Sequence, residues 1–242
     1  MADQTLIAGP WTGSLLGELM CWQGYLRSQC KNYNKTIVVV SNKSHAFLYR
    51  DFASEIIEPE NLEDIHGTRL LPHDVPVRWV SQQPVVDDQI FNSLAKTTAK
   101  KKFSLAICAS VSDQFTKKDW AEIAASQPIE MDIAWVSDIG EAHILGGSDY
   151  RKRALGSVAS AIRASNIVIA PSGGIAALSG LCGIPYITWL PTNLVNLYKD
   201  IWNPMSTSGV AFKGHPKASQ VIEAIKRIYE MQANQDKEMY QD

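Results

Sequence analysis

Cysteine is sparse in this chain. Four occur in 242 residues, at Cys21, Cys30, Cys108 and Cys182, and none has the spacing of a metal knuckle or a dithiol redox motif. Cys108 and Cys182 sit among apolar residues, which reads as reduced core thiols of a cytoplasmic protein and not as a disulfide framework. An excess of one charge is also missing. The 23 basic and 25 acidic residues leave a formal net charge of −2, so no global field draws the chain to nucleic acid or an anionic membrane. No apolar run approaches the roughly 20 residues of a membrane span. The start, Met1-Ala2-Asp3-Gln4, has no basic segment leading into an apolar one. The expectation is a cytoplasmic protein without a membrane span.

Several catalytic signatures are lacking too. His45, His66, His73, His143 and His215 are dispersed, and no Asp-x-Asp pair occurs. Asp87-Asp88 is adjacent, so the two carboxylates cannot share one strand face. No metal and no resident cofactor are therefore expected. A Gly-x-Ser-x-Gly elbow, a Cys–His nucleophile pair and a Walker loop are likewise missing.

What remains is an ordinary globular composition, 45% hydrophobic and 20% charged, arranged as alternating strand and helix patterns. Strands are expected at Leu6–Ala8, Thr36–Val40, Ile56-Ile57, Val75–Val80, Phe103–Ala109 and Met131–Val136. Helices are expected at Ser14–Gln29, Ser44–Phe52, Lys117–Ala125, Lys152–Ala164 and Lys217–Met231, with a frayed end from Asn234. Leu15, Leu19, Trp22 and Leu26 recur at helical spacing and mark a stripe that faces a sheet. The polar stretch Lys96–Lys102 is the natural linker. The fold class is α/β, with two Rossmann-like halves of mainly parallel sheets flanked by helices, an N-terminal one over 1–100 and a C-terminal one over 101–242.

The most informative segment is Ile167-Val168-Ile169-Ala170-Pro171-Ser172-Gly173-Gly174-Ile175-Ala176-Ala177-Leu178. An apolar strand ends at Pro, Ser and two Gly, and a small-residue helix follows to Cys182-Gly183. A further strand, Ile184–Leu190, comes next. This order places backbone N–H groups and a helix N-terminus at the carboxyl end of a buried strand, where phosphate or another anion binds. Tight packing alone also accounts for the small residues.

Leu155–Thr192 resembles the C-terminal signature of the heptosyltransferase family, glycosyltransferase family nine. Ser172-Gly173 and Gly183-Ile184-Pro185 match its loop and turn, and Leu190-Pro191-Thr192 is similar to its Gly-Pro-Thr. Leu16-Gly17-Glu18 resembles the family's Leu-Gly-Asp, and Lys117-Lys118-Asp119-Trp120 its Lys-x-Trp segment. Three departures stand out: Ala176 replaces the usual His, Pro171 a frequent Asp, and Glu18 an Asp. The chain is also short for this architecture. The resemblance implies a GT-B arrangement, two Rossmann-like domains across a cleft, with a nucleotide-sugar donor held mainly by the second. The departures keep heptose and lipopolysaccharide chemistry from being carried over.

From this follow the site expectations. Glu18 is the candidate catalytic base, though a carboxylate early in a helix is also favoured by the dipole alone. Ser172, Gly173 and Gly174 would offer N–H donors to the donor's diphosphate, with Lys117 or Lys118 adding positive charge. That lysine pair is equally a solvated helix face. Ser110 is either a phosphate hydroxyl or a turn residue. Glu141 either accepts from ribose hydroxyls or is a surface acid. Asn193 and Asn203-Pro204 lie in the loop after the last strand, where ligands gather. Trp11, Thr12 and Gly13 would face the acceptor, with Trp11 alternatively a core anchor. The co-substrate expected is a nucleotide sugar, a UDP-sugar first, and the transfer is expected to need no metal. The acceptor is open. Small GT-B enzymes glycosylate hydroxymethylated bases in DNA, and Lys100–Lys102, Lys117-Lys118 and Arg151–Arg153 would supply a local basic rim. A nucleotide-sugar epimerase and a non-catalytic nucleotide- or protein-binding module are the alternatives.

Overall fold

The computed structural model describes residues 4–62, 65–76, 99–109, 115–128, 131–136, 146–151, 153–191, 194–198, 202–203 and 205–239. Two parallel sheets organise them. The first carries β1 (Thr5–Ala8), β2 (Lys35–Val39), β3 (Glu55–Ile57) and β4 (Thr68–Leu70) in the order β3-β2-β1-β4. The second carries β5 (Phe103–Ile107), β6 (Asp132–Trp135), β7 (Ser148–Asp149), β8 (Ser165–Ile169), β9 (Tyr186–Leu190) and β10 (Gly209–Lys213). Its order, β10-β9-β8-β5-β6-β7, is that of a six-stranded Rossmann sheet. The strand order therefore reverses between β5 and β8, where ligands of such sheets bind beyond the carboxyl ends.

Helices follow the apolar stripes. After β1 come α1 (Leu15–Gly17), a π turn (Glu18–Trp22) and α2 (Gln23–Cys30) as one continuous rod, with the Gln23 N–H reaching back to the Glu18 carbonyl. Ser14 caps this rod by accepting from the Gly17 N–H. Leu15, Leu19, Trp22 and Leu26 are all buried, as their spacing demands. In the second half, α3 (Lys117–Ala125) and α6 (Ala218–Met239) cover one face of the sheet, and α4 (Leu155–Arg163) and α5 (Gly174–Leu181) the other. Strand residues alternate between these faces. Ala106, Val168 and Tyr186 belong to one apolar cluster, and Leu105, Ile167 and Ile187 to another.

The first of these clusters also takes in Leu6, Val38, Leu15 and Leu19, so one core runs through both halves. Glycines let the helices meet. A β-carbon on Gly174 would stand 2.5 Å from Leu15 Cγ, and one on Gly156 3.2 Å from Phe47 Cδ2.

Four expectations are corrected. Thr68–Leu70 and Gly209–Lys213 are strands where the sequence pattern places none. The helix expected over Ser44–Phe52 is a 3-10 turn, Lys43–Leu48. Arg27 Nη2 donates to the Leu48 carbonyl there, a side-chain contact from another element that no local pattern announces. Finally, α6 continues through Met239 instead of fraying at Asn234. The expected strand Val75–Val80 falls largely outside the described residues, and Val75 and Pro76 are not in a strand.

Candidate functional site

The site is built where β1 and β2 end. Gly9 follows β1 with φ +100°, and a β-carbon there would lie 2.6 Å from the Val39 carbonyl oxygen, so this bend needs glycine. The chain then lays Trp11 against the start of the helical rod. Its indole Nε1–H donates to the Ser14 carbonyl at 3.0 Å, and its ring stacks on Trp22 with centroids 5.9 Å apart. Gly17 makes room for that ring, since a β-carbon there would meet Trp11 Cζ2 at 2.7 Å. Glu18 comes next, its carboxylate only 3% exposed.

Two side chains from the turn after β2 hold Glu18. Tyr49 donates its phenol proton to Oε1, and His45 Nδ1 lies 2.5 Å from Oε2. Burial first, then the Glu18 charge and this hydrogen bond, push the Tyr49 phenol well above its usual range. It therefore stays a donor. The turn is itself anchored by a buried ion pair: Arg27 makes two bonds to Asp51, at 2.7 and 2.9 Å, and a third to the Leu48 carbonyl at 3.1 Å. Arg27 Nε donates to Gln23 at 2.7 Å, and the guanidinium lies 4.3 Å over the Phe52 ring. Sequence reasoning missed His45 and Tyr49. The signal was topological, because the end of β2 must lie beside the end of β1 in a Rossmann half.

Trp11, Thr12, Gly13, Glu18, Ser41, Asn42 and His45, with Val39 and Val40, enclose a hollow of about 170 Å³. The three residues expected to face an acceptor thus line the same hollow as the candidate base.

The Ser172 loop follows β8 at the strand-order reversal. The Ser172 N–H, expected to meet a phosphate, instead donates to the Trp189 carbonyl at 3.0 Å and continues the sheet. That corrects the expectation for this one group. Ser172, Gly173 and Gly174 are all half-buried. Tyr198 braces the loop by donating to the Gly173 carbonyl at 3.3 Å. Gly174 packs on Leu15, and Glu18 follows Leu15 by three residues, roughly 4.5 Å along the helix axis. The helix that begins at Gly174 therefore meets the rod about one turn before Glu18.

Lys117 and Lys118 are exposed on the first turn of α3, and Lys118 lies 3.8 Å from Glu122. Their segment has a structural role as well, with a Thr116–Asp119 capping box and a buried Trp120. Among the described residues, no hydrogen bond or ion pair joins these lysines to the Ser172 loop. Ser110, Glu141, Asn193 and Pro204 lie outside the described residues, while Asn203 holds Thr207 through two bonds of 2.7 and 2.8 Å. No group of three metal-ligating side chains occurs among the described residues, and no described helix is long and apolar enough to cross a membrane.

No family model matches the chain, and no curated protein matches it in sequence. Solved structures do resemble it. The glycosyltransferase TibC of enterotoxigenic E. coli, described as iron-containing and dodecameric, aligns with a TM-score of 0.57 at 14% identity, over 90% of this chain and 65% of that one. A second TibC structure contains ADP-D-β-D-heptose and aligns with a TM-score of 0.54 at 15% identity, over 80% of this chain and 60% of that one. The chain thus spans less than two thirds of TibC. A family 9 glycosyl transferase from Veillonella parvula has a TM-score of 0.59 at 10% identity, covering 93% of this chain and 97% of that one. E. coli ADP-heptose lipopolysaccharide heptosyltransferase II has a TM-score of 0.59 at 11% identity, over 95% and 99%. The likeness shows the fold: α/β, GT-B-like, with mainly parallel sheets flanked by helices.

Proposed function

We propose that the protein is a glycosyltransferase that moves a sugar from a nucleotide-diphosphate-sugar to an acceptor hydroxyl. The observation that carries this reading is the buried Glu18 carboxylate at a hollow, on a rod whose preceding turn packs through Leu15 on Gly174. The acceptor oxygen attacks the anomeric carbon as its proton is removed, a step driven by Glu18. The bond from that carbon to the phosphate oxygen breaks, and the electron pair leaves with the diphosphate. Gly173 and Gly174 amides, the Ser172 hydroxyl and the positive end of α5 meet the leaving group. No divalent cation takes part in the proposed step, so chelator leaves turnover unchanged.

The fold likeness to a protein solved with ADP-heptose puts ADP beside UDP in the first trial. A thermal-shift panel of UDP, ADP, GDP, CMP and dTDP names the donor class. A nucleotide at a hundred times its dissociation constant stabilises by about 2.7 kcal/mol. With the matching sugar donor, Glu18→Gln is expected to abolish transfer and leave the nucleotide shift intact. Unchanged transfer in that variant removes Glu18 from the mechanism.

For the acceptor, exposed Lys100, Lys102, Lys117, Lys118 and Arg153 support duplex DNA carrying a hydroxymethylated base as one class to test. Arg151 is bonded to Asp149 and adds less to such a rim. Binding that weakens steeply with salt supports this acceptor, and no binding at low salt ends it. A non-catalytic nucleotide-binding module is the second reading, favoured by the Ser172 N–H being engaged within the sheet. It predicts a nucleotide shift with no turnover of any donor.

A further inference from the structure

We infer that His45, and not Glu18, is the group that touches the acceptor hydroxyl and takes its proton, with Glu18 acting behind it. The inference rests on the transferase reading above and refines which atom does the chemistry. Three observations carry it. Each Glu18 oxygen already has a hydrogen-bond partner, Tyr49 at Oε1 and His45 Nδ1 at Oε2. The Glu18 side chain is 3% exposed, against 18% for His45 on the same contact. His45 also lines the hollow beside Trp11, Thr12 and Gly13.

Chemistry then fixes the roles. A carboxylate only accepts, so the hydrogen between the two groups sits on His45 Nδ1 when the ring is neutral. Nε2 then carries the lone pair. The same logic operates wherever a buried carboxylate sets the tautomer of a histidine base and steadies the imidazolium that forms. Here the acceptor O–H proton passes to Nε2 as the oxygen bonds to the anomeric carbon and the diphosphate departs with its electron pair. The resulting imidazolium faces Glu18 through Nδ1–H and returns its proton to water after product leaves. Tyr49 is a positioning residue, because it fixes the carboxylate without facing the hollow.

His45→Asn is the informative variant, since the asparagine amide can replace Nδ1–H as the donor to Glu18 but has no basic nitrogen. With the donor named by the nucleotide panel, we expect the variant to keep the nucleotide thermal shift and the acceptor KM while kcat falls by about 100-fold or more. Added imidazole should restore turnover to His45→Ala. Wild-type-like kcat in His45→Asn, with Glu18→Gln inactive, overturns the inference and returns the base to Glu18, leaving the transferase reading intact. A loss in His45→Asn without imidazole rescue of His45→Ala also overturns it, and makes His45 a support for the carboxylate. If the wild-type protein turns over no donor, the transferase reading fails and the inference falls with it.

Discussion

At the residue scale, the molecule keeps a carboxylate in its interior by supplying it with donors. Removing one of them has a calculable sign. Tyr49→Phe leaves the ring in place and takes away the phenol proton that Oε1 accepts. A buried group stripped of a partner costs about 1–3 kcal/mol, more when it is charged. We expect Tyr49→Phe to lower stability by that amount in urea unfolding, and to reduce kcat with the nucleotide thermal shift unchanged. A variant with full stability and full kcat would show that His45 alone holds Glu18. Glu18 itself was legible in the sequence as a helix-flank acid in Leu-Gly-Glu. Its partners were not, because His45 and Tyr49 become neighbours of Glu18 only when β2 lies beside β1.

At the scale of elements, the strand, Ser-Gly-Gly loop, helix and strand unit was legible because an apolar run, small residues and Gly183-Ile184-Pro185 follow one another without interruption. β4 was not, because Thr-Arg-Leu has no apolar run and is largely exposed. Its pairing with β1 decides it. The contact of Gly174 with Leu15 was equally hidden, since it joins residues far apart in the chain. Gly174→Ala would place a methyl about 2.5 Å from Leu15 Cγ, and we expect a loss of about 1–3 kcal/mol from overpacking. Leu15→Ala removes Cγ and Cδ2 but keeps the β-carbon at 2.7 Å, so the relief is partial and the double variant should lose less than the sum of the two single ones. A strictly additive double-mutant cycle would show that the two helices do not press on each other there.

For the whole molecule, the continuous core has a proton-linked signature. Burial pushes the Cys182 thiol up to about 12, moderated by the Arg163 charge, and pushes the Tyr186 phenol up to about 12. The unfolded chain releases these protons nearer 9 and 10, while the folded protein keeps them. Stability from these groups is therefore complete below pH 9 and declines toward pH 12, by about 1.4 kcal/mol per pH unit for each group. Lys101 opposes this. Desolvation and the Arg163 charge lower it to about 8, so the unfolded chain holds more protons between 8 and 10.5, and stability gains with pH across that window. The net fall should steepen above pH 10. Urea midpoints from pH 8 to 11 check it, and Cys182→Ala should flatten the alkaline limb by one proton. An unchanged slope in that variant would assign the limb to the tyrosines.

Phe47 sits on the same short turn as His45 and lies against Gly156 of the other half, 3.2 Å from where that glycine's β-carbon would be. One face of the turn grips the Glu18 carboxylate while another bears on α4. This makes the turn a gear between the two sheets. A rotation of one half against the other would press through Phe47 on the same short turn whose His45 meets the Glu18 carboxylate.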